Sequence, residues 1–349
     1  MGILIALLIF SFLIFFHELG HFLVARYWGV KVEVFSIGFG KRLYTKQIGE
    51  TEWSISAIPL GGYVRMKGQD DSDPLAVSYD ADSYTTKTPW QKITILLAGS
   101  AANFVVAFFL YFVLTLGDIP KALPVVGDLN QSLPAYKAGM QNGDRIMEIN
   151  GHPISYWEDI STAIKHSSTE ELHISVLRDQ QYLMIDIKPE TIQDINAFGE
   201  SVARKVIGIT HQENAIVYLD LSLAESTQYA YDQTVAASLL IIKGVQKLIT
   251  GAISSENVSG PIGITDMISK ATQVSIAYLL FLTALLSVNL GVLNLLPIPA
   301  LDGGHIMFNL YEWIRGQQPS EEVMYRITLI GWGILFSIML LGFYNDIHR

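Results

Sequence analysis

The chain contains no cysteine, which excludes both a disulfide framework and a thiolate metal site. Charged residues are also scarce: they make up 16% of the 349 residues, whereas soluble domains usually have about a quarter. Half of the residues are hydrophobic, and the mean hydropathy is +0.34. No cluster of lysine and arginine accompanies the net charge of −10, which argues against a nucleic-acid partner. This composition indicates a membrane protein with a soluble portion.

Four long apolar stretches predict four transmembrane helices, because a spanning helix needs roughly 17–25 predominantly apolar residues. They are residues 3–25, 93–116, 274–301 and 327–343. The alternating segments of a membrane β-barrel are absent from the sequence. The first stretch lacks a basic n-region and a clear A-x-A cleavage site, so we expect a retained transmembrane helix rather than a signal peptide.

The connection between the first two stretches is predicted to form β-hairpins followed by a loop. Residues 31–35 and 52–56 alternate between polar and apolar side chains, and five glycines punctuate the segment 30–66. The polar segment 70–88 is typical of a loop. Nine lysines and arginines lie within 26–92, so the positive-inside tendency predicts that this connection is cytoplasmic and that both termini face outward.

Residues 119–210 have the composition of a soluble domain, which four spans would place on the outer side of the membrane. The strand-like runs 173–177 and 182–187 flank a predicted turn at 178–180. The following segment, 221–251, has an amphipathic helical pattern with Lys243 and Lys247 one turn apart. We expect this helix to lie along the membrane surface or against the helix bundle.

The first apolar stretch carries a metal-binding pattern, since residues 17–21 read His-Glu-Leu-Gly-His. An α-helix turns once per about 3.6 residues, so His17 and His21 project from one face and can share a zinc ion. Glu18 is then placed to act as general base towards a zinc-activated water. The pattern arises by chance in soluble helices, but ionisable groups at bilayer depth are costly and are usually kept for a function. The sequence therefore predicts a metallopeptidase whose active site lies within the membrane.

A third ligand is required, because catalytic zinc normally has three protein ligands and one open position. Asp302 is the best candidate: it ends a long uncharged segment, and Pro297 and Pro299 prevent a regular helix there. The alternative for Asp302 is a cap on the short helix that follows. His305 is a weaker candidate ligand, with a place on the next turn or a hydrogen bond to a ligand as its other roles. The remaining five histidines lie in polar sequence and are interpreted as surface or core residues, namely His152, His166, His173, His211 and His348.

Six segments in order along the chain resemble the site-2 protease family, in the branch of the bacterial regulator-of-sigma-E protease (RseP-like). These segments are 17–22, 35–40, 58–66, 98–104, 259–264 and 289–305. The chain departs from the family at Ser100, where a proline is common. We expect this difference to alter the local helix geometry and not the chemistry.

The resemblance implies the cofactor and the roles at the metal. The cofactor would be Zn²⁺, bound by His17, His21 and Asp302, and Glu18 would be the catalytic base. It also implies that Asn289 and Asn294 handle the substrate backbone.

The segment 30–66 resembles the membrane-reentrant β-element of the family, which is thought to hold an unwound substrate as an added strand. That role agrees with backbone hydrogen bonding. The carbonyls of a transmembrane helix are paired internally, so the helix must be unwound before cleavage and its backbone then needs substitute partners. Residues 134–151 resemble the PDZ core of the family. The soluble region has room for one such domain, where many proteobacterial relatives have two. It would either bind peptide or act as a steric filter.

The predicted fold is a polytopic α-helical membrane protein with four transmembrane helices, a membrane-associated β-hairpin region and one inserted PDZ-like β-rich domain. Its predicted divisions are an N-terminal membrane part at 1–117, the PDZ-like domain at 118–215, amphipathic linker helices at 216–270 and a C-terminal membrane part at 271–349.

The predicted function is that of an intramembrane zinc endopeptidase in the cytoplasmic (inner) membrane of a bacterium. Its expected substrates are the transmembrane segments of single-span proteins, of the anti-sigma factor or remnant signal peptide type, already cut by another protease. The active site is expected towards the cytoplasmic side and the PDZ-like domain on the periplasmic face. We expect contact with the lipid bilayer and no nucleic-acid partner.

Two other functions are alternatives to this one. A non-catalytic membrane scaffold that presents a PDZ domain would have a degraded motif, whereas Glu18, both histidines and Asp302 are intact. Another membrane-linked metalloprotease, such as a prenyl-protein peptidase, would explain neither the PDZ-like insert nor the element around Asp302.

Overall fold

The computed structural model describes residues 2–69, 78–117, 119–196 and 198–348. The chain divides into two compact units: unit 1 comprises Met1–Leu114 and Ala224–Arg349, and unit 2 comprises Thr115–Leu223. The α-helices of the described residues are α1 (Gly2–Tyr27), α2 (Pro89–Leu114), α3 (Pro134–Lys137), α4 (Trp157–His166), α5 (Leu223–Ile249), α6 (Pro261–Val274), α7 (Ile276–Asn294), α8 (Asp302–Arg315) and α9 (Glu321–His348). The strands are β1 (Val32–Ile48), β2 (Thr51–Met66), β3 (Ile119–Ala122), β4 (Val126–Leu129), β5 (Arg145–Ile149), β6 (His152–Pro153), β7 (Leu172–Arg178), β8 (Gln181–Ile187), β9 (Glu190–Ile195), β10 (Ser201–Val206), β11 (Ile209–His211) and β12 (Ile216–Leu219).

Four helices of the described chain are long and apolar enough to cross a membrane, as predicted: α1, α2, α7 and α9. Most of the surface of α1 and α9 is exposed, and their outward side chains are large and apolar, for example Leu8 and Leu23 on α1 and Trp332 on α9. Such surfaces are stable in contact with lipid and unstable in water. The fourth helix is longer than the predicted span 327–343, because it begins at Glu321 and ends at His348.

The third span is shorter than its apolar stretch, 274–301. Helix α7 begins after Ser275, whose Oγ accepts a hydrogen bond from the amide of Tyr278, and it ends at Asn294. Residues 295–301 form turns and bends. Pro297 and Pro299 lack amide hydrogens and their rings clash with the preceding turn, so the helix cannot continue. The prediction of a broken segment before Asp302 is confirmed.

Helix α2 packs against both α1 and α7. At its crossing with α1, a methyl group on Gly20 would lie 2.2 Å from the carbonyl oxygen of Ala98, so only glycine allows this approach. Its contact with α7 is built from small and branched side chains, among them Ala107 and Val288, which are both fully buried. Small residues at helix crossings are how helices in lipid gain close van der Waals contact.

The segment 30–66 forms β-structure, as predicted, from the two long strands β1 and β2 with Gly49 in the turn between them. The strands pair in more than one stretch: residues 42–48 pair with 51–56, and residues 34–37 pair with both 62–65 and 52–55. Gly38 and Gly61 also have positive φ, but they lie where the pairing register shifts. Glycines at such positions allow a strand to bend where it changes its pairing partner. The predicted loop 70–88 has neither helix nor strand at 78–88, and residues 70–77 lie outside the described residues.

Unit 2 contains a four-stranded antiparallel sheet in the order β6-β5-β7-β8, with Ile160 and Ile164 of α4 in the same core. The predicted turn after β7 is confirmed, because Asp179 and Gln180 both have positive φ, as a tight type I′ turn requires. Strands β9 and β10 pair with each other, as do β4 and β11. The first and last strands of the unit, β3 and β12, also pair, so the chain enters and leaves unit 2 at one place.

The amphipathic helix predicted at 221–251 is α5, which is as long as the spans but is not among the four apolar helices. Its buried face consists of small residues, including Ala230 and Ala237, while Leu239 and Leu240 are exposed. Helix α6 begins at Pro261, and the amides of Gly260 and Gly263 both donate hydrogen bonds to the carboxylate of Asp346 near the end of α9. Helix α9 is thereby tied to the start of α6.

Helices α2 and α8 are joined by a buried ion pair. The side chain of Lys92 is 2% exposed, and its Nζ lies 3.1 Å from Oε2 of Glu312. Gln318 donates a hydrogen bond to the same carboxylate oxygen. Since α8 begins with Asp302, this pair helps to fix the position of that aspartate relative to α2.

Replacing Lys92 by methionine is expected to destabilise unit 1 by about 3 kcal/mol, because Glu312, whose side chain is only 19% exposed, is left without its cation. The double variant Lys92→Met/Glu312→Leu should recover most of this loss, since an apolar pair removes the uncompensated charge. Thermal unfolding of the full chain in detergent measures both effects. Lys270→Met removes an exposed ion pair with Asp266 and serves as the control, with an expected change below about 1 kcal/mol. Equal losses in the single and double variants would contradict this account of the pair.

Candidate metal centre

The His-Glu-x-x-His residues lie on the face of α1 that packs against α2. His17 and His21 are buried, at 7% and 6% exposure, and their Nε2 atoms are 3.2 Å apart. Oδ2 of Asp302, the first residue of α8, lies 3.3 Å from Nε2 of His17 and 3.4 Å from Nε2 of His21. The three side chains form a group that could hold a metal ion, the one such group found among the described residues.

The dimensions of this triangle suit zinc. A tetrahedral zinc ion binds nitrogen and oxygen at about 2.0–2.2 Å, so its ligand atoms lie about 3.3–3.5 Å from one another. Oδ2 of Asp302 is buried and makes no hydrogen bond to any described residue. A buried carboxylate oxygen without a donor is costly unless a cation compensates it. The donor set, the spacing and the unpaired oxygen all fit a zinc ion.

Asp302 does not occupy the N-cap position of α8, which belongs to Leu301. Its side chain instead points to the two imidazoles, so the alternative of a helix cap is not what the structure has. His305 is outside the metal-binding group; its ring packs against Phe308.

The outer nitrogens of both histidines meet groups on α2. Nδ1 of His21 donates a hydrogen bond to the carbonyl oxygen of Ile95 at 2.8 Å. Nδ1 of His17 lies 3.1 Å from Nδ2 of Asn103, whose side chain is completely buried. Sequence reasoning missed Asn103, although an amide in an uncharged span is a signal in itself, since a buried amide needs hydrogen-bond partners.

The rings of the two histidines fit against α2 because residue 99 is glycine. A methyl group there would lie 2.2 Å from Nε2 of His21 and 2.8 Å from Cε1 of His17. Both distances are far below van der Waals contact. Gly99 therefore provides the space in which the two imidazoles converge.

Glu18 is partly buried and lies beside the hairpin. A methyl group on Gly62 of β2 would lie 3.2 Å from Cγ of Glu18 and 3.0 Å from Cγ2 of Ile14. The C-terminal part of β2 thus lies beside the turn of α1 that carries the predicted base.

The structure brings one of the two predicted substrate-handling asparagines to the centre. Nδ2 of Asn294, the last residue of α7, lies 3.3 Å from Nε2 of His17. Asn289 lies on the same helix and is partly buried, and its side chain makes no hydrogen bond to any described residue.

The model of peptidase family M50 matches residues 5–338, which is nearly the whole chain. The chain belongs to peptidase family M50. This is the site-2 protease family, as the sequence motifs predicted.

Several curated relatives of this M50 peptidase are named as zinc metalloproteases or as a protease. One from Campylobacter jejuni is 45% identical over 346 residues, which cover 99% of this chain and 93% of the relative. One from Helicobacter pylori is 38% identical over 351 residues, which cover 99% of this chain and 99% of the relative. The regulator of sigma-W protease RasP of Bacillus subtilis is 30% identical over 98% of this chain and 97% of its own. The chain is accordingly a zinc metalloprotease, and its four apolar helices make it a bacterial membrane protein.

Gly99→Ala is expected to weaken zinc binding at least about tenfold, because the added methyl group displaces both imidazole rings. Zinc retained after purification and competition with a chelator measures the effect. Gly333→Ala on α9 is the matched control, since a methyl group there meets nothing within 4 Å. Full zinc occupancy in Gly99→Ala would show that the rings do not depend on this space.

Proposed function

We propose that this M50 peptidase is an intramembrane endopeptidase that cleaves the transmembrane segments of single-span membrane proteins. The observation that carries the proposal is the position of the metal-binding group on a spanning helix. About 15 Å of helix separates His17 from the end of α1 at Tyr27, so the group lies well inside the span. A peptidase centre at that depth serves substrates that are themselves in the membrane.

The proposed orientation has the connection between α1 and α2 in the cytoplasm, because nine lysines and arginines lie within 26–92. The helix contacts of unit 1 support this arrangement. Lys92 near the start of α2 meets Glu312 of α8, which would be cytoplasmic. The end of α9 meets the start of α6 through Asp346, and Ala6 of α1 packs with Ile268 of α6, which would be the periplasmic ends. The membrane is then the inner membrane, with unit 2 in the periplasm.

The proposed chemistry is hydrolysis of a peptide bond, for which a bound zinc ion would supply the Lewis acid. His17, His21 and Asp302 would hold the ion, which when bound polarises the scissile carbonyl and lowers the pKa of water. Glu18 accepts a proton as the water oxygen bonds to the carbonyl carbon. Glu18 then delivers the proton to the amine nitrogen as the carbon–nitrogen bond breaks.

The substrate backbone would be held by the asparagines and the hairpin. The amide of Asn294 is within reach of the centre, and Asn289 lies earlier on the same helix, so both can bind backbone groups of an unwound segment. Residues 62–65 of β2 pair with 34–37 of β1 on one side, and no described residue pairs with them on the other side. The open edge presents amides and carbonyls that replace the hydrogen bonds lost when the substrate helix unwinds. Gly62 places β2 beside Glu18, which brings such an added strand to the base.

We also propose that unit 2 is a single PDZ-like domain that restricts access to substrates already cut by another protease. Its pairing of β3 with β12 suits a domain inserted into the membrane bundle. It would act either by excluding bulky outer domains or by binding the new chain end. The sigma-W regulator among the relatives supports an anti-sigma factor as substrate, with remnant signal peptides as the second class.

Glu18→Gln is expected to lower the cleavage rate of a membrane-embedded single-span peptide by roughly 10²–10⁴-fold, because glutamine cannot accept the proton. Zinc content should stay at the wild-type level, since the three ligands are unchanged. The assay uses the full chain in proteoliposomes, with the exposed Glu213→Gln of unit 2 as control. Wild-type cleavage by Glu18→Gln would refute the role of Glu18, and loss of zinc would place it among the ligands.

Gly62→Ala is expected to reduce cleavage and leave zinc bound. The added methyl group would lie 2.8 Å from the carbonyl oxygen of Ser36 and would press on Glu18, whereas it touches no metal ligand. Turnover and zinc content of the same preparation separate this effect from that of Gly99→Ala. Unchanged turnover in Gly62→Ala would argue against β2 as the element that aligns the base and the substrate strand.

A further inference from the structure

Three residues on successive turns of α2 face the paired imidazoles: Ile95, Gly99 and Asn103. The first of them settles the tautomer of His21. A backbone carbonyl can only accept a hydrogen bond, so Nδ1 of His21 carries the hydrogen that points to the oxygen of Ile95. In the neutral ring Nε2 of His21 then carries the lone pair, which is the condition for binding a metal.

His17 has no carbonyl in the equivalent position and meets the side chain of Asn103 instead. A carboxamide can present either its NH₂ group or its oxygen to the same neighbour. If the NH₂ group faces His17, Nδ1 is the acceptor and the ring hydrogen lies on Nε2, where it blocks metal binding. If the oxygen faces His17, Nδ1 donates and Nε2 is free. The amide orientation and the ability of His17 to bind zinc are therefore coupled.

We propose that Asn103 is a positioning residue whose Oδ1 accepts the Nδ1 hydrogen of His17 and thereby fixes Nε2 as the zinc-binding nitrogen. This inference rests on the proposed role of His17 as a zinc ligand. In either orientation of the amide, one of its two polar atoms faces away from His17. Zinc binding requires the tautomer of His17 with hydrogen on Nδ1, and this tautomer selects the orientation in which Oδ1 faces His17. Oδ1 makes no hydrogen bond to a described residue when Nδ2 faces His17, so no bond at that atom opposes the rotation.

The main chain of Asn103 is held independently of its amide. Ser287 of α7 donates a hydrogen bond from Oγ to the carbonyl oxygen of Asn103 at 2.8 Å, and both residues are completely buried. This contact fixes the place of residue 103 between α2 and α7. It also supplies a control that disturbs the same helix contact and leaves the amide intact.

The test compares a side chain that can only accept a hydrogen bond with one that can neither accept nor donate a hydrogen bond. Asn103→Leu should bind zinc 10–100-fold more weakly, the usual cost of losing the hydrogen bond behind a metal-binding histidine. Asn103→Asp retains an acceptor and should stay within about threefold of the wild type. Zinc affinity is measured by chelator competition on the full chain in detergent, and the visible absorption of the Co²⁺-loaded protein reports whether the geometry is kept. If Asn103→Leu does not fold, Asn103→Ala replaces it with the same expectation.

The reverse order, with Asn103→Asp weaker than Asn103→Leu, would overturn the inference, because it would show that the amide acts as a donor. Ser287→Ala should bind zinc as the wild type does; a loss equal to that of Asn103→Leu would assign the effect to helix packing and overturn the inference as well. His17→Ala separates the two proposals. If it retains wild-type zinc affinity, the ligand set itself fails, whereas a loss in His17→Ala without one in Asn103→Leu refutes only the role of Asn103.

Discussion

The arrangement of the membrane bundle depends on the meeting of one carboxylate with two imidazoles in a buried place. Asp302 comes from the C-terminal part of the chain and His17 and His21 from its first helix, and their ligand atoms converge within 3.4 Å. A buried carboxylate oxygen without a donor is among the most expensive groups a protein can contain. The surrounding elements must therefore bring these side chains together and keep lipid away from them.

Helix α2 makes most of the contacts that position these side chains. It approaches α1 closely because Gly20 has no side chain, it gives the imidazoles room at Gly99, and it is tied to α8 through Lys92. Ala98, which Gly20 approaches, and Gly99 are adjacent, and Lys92 precedes them by about two turns of the same helix. A helix that is held at several points along its length moves little, so the rings that pack against it are also held in place. A metal site requires such precise placement of its ligands.

Much of the architecture is visible in the sequence, because it depends on local patterns. Hydrophobic length reveals the spans, the spacing of His17 and His21 reveals their shared face, and Pro297 and Pro299 reveal the break before Asp302. The rest depends on pairs far apart in the chain. The amide of Asn103 in an uncharged span indicates a polar contact, but no local pattern identifies His17 as its partner or joins α2 to α8. The glycines where the strands change pairing partners also look the same as the glycine of the turn.

A protease in a membrane must enclose a metal site and also admit a polypeptide backbone, and these demands conflict within a helix bundle. Close-packed helices exclude lipid but offer no free backbone groups, since every amide and carbonyl of a helix interior is paired internally. A hairpin edge has the opposite property, because its outer amides and carbonyls are available to a new strand. In this chain the helices α1, α2 and α7 enclose the group around His17, while β2 passes the same turn of α1 at Gly62. Backbone hydrogen bonding explains why helices hold the ligands and a strand receives the substrate. Only a strand edge can form hydrogen bonds with an unwound substrate without breaking the elements that hold the ligands.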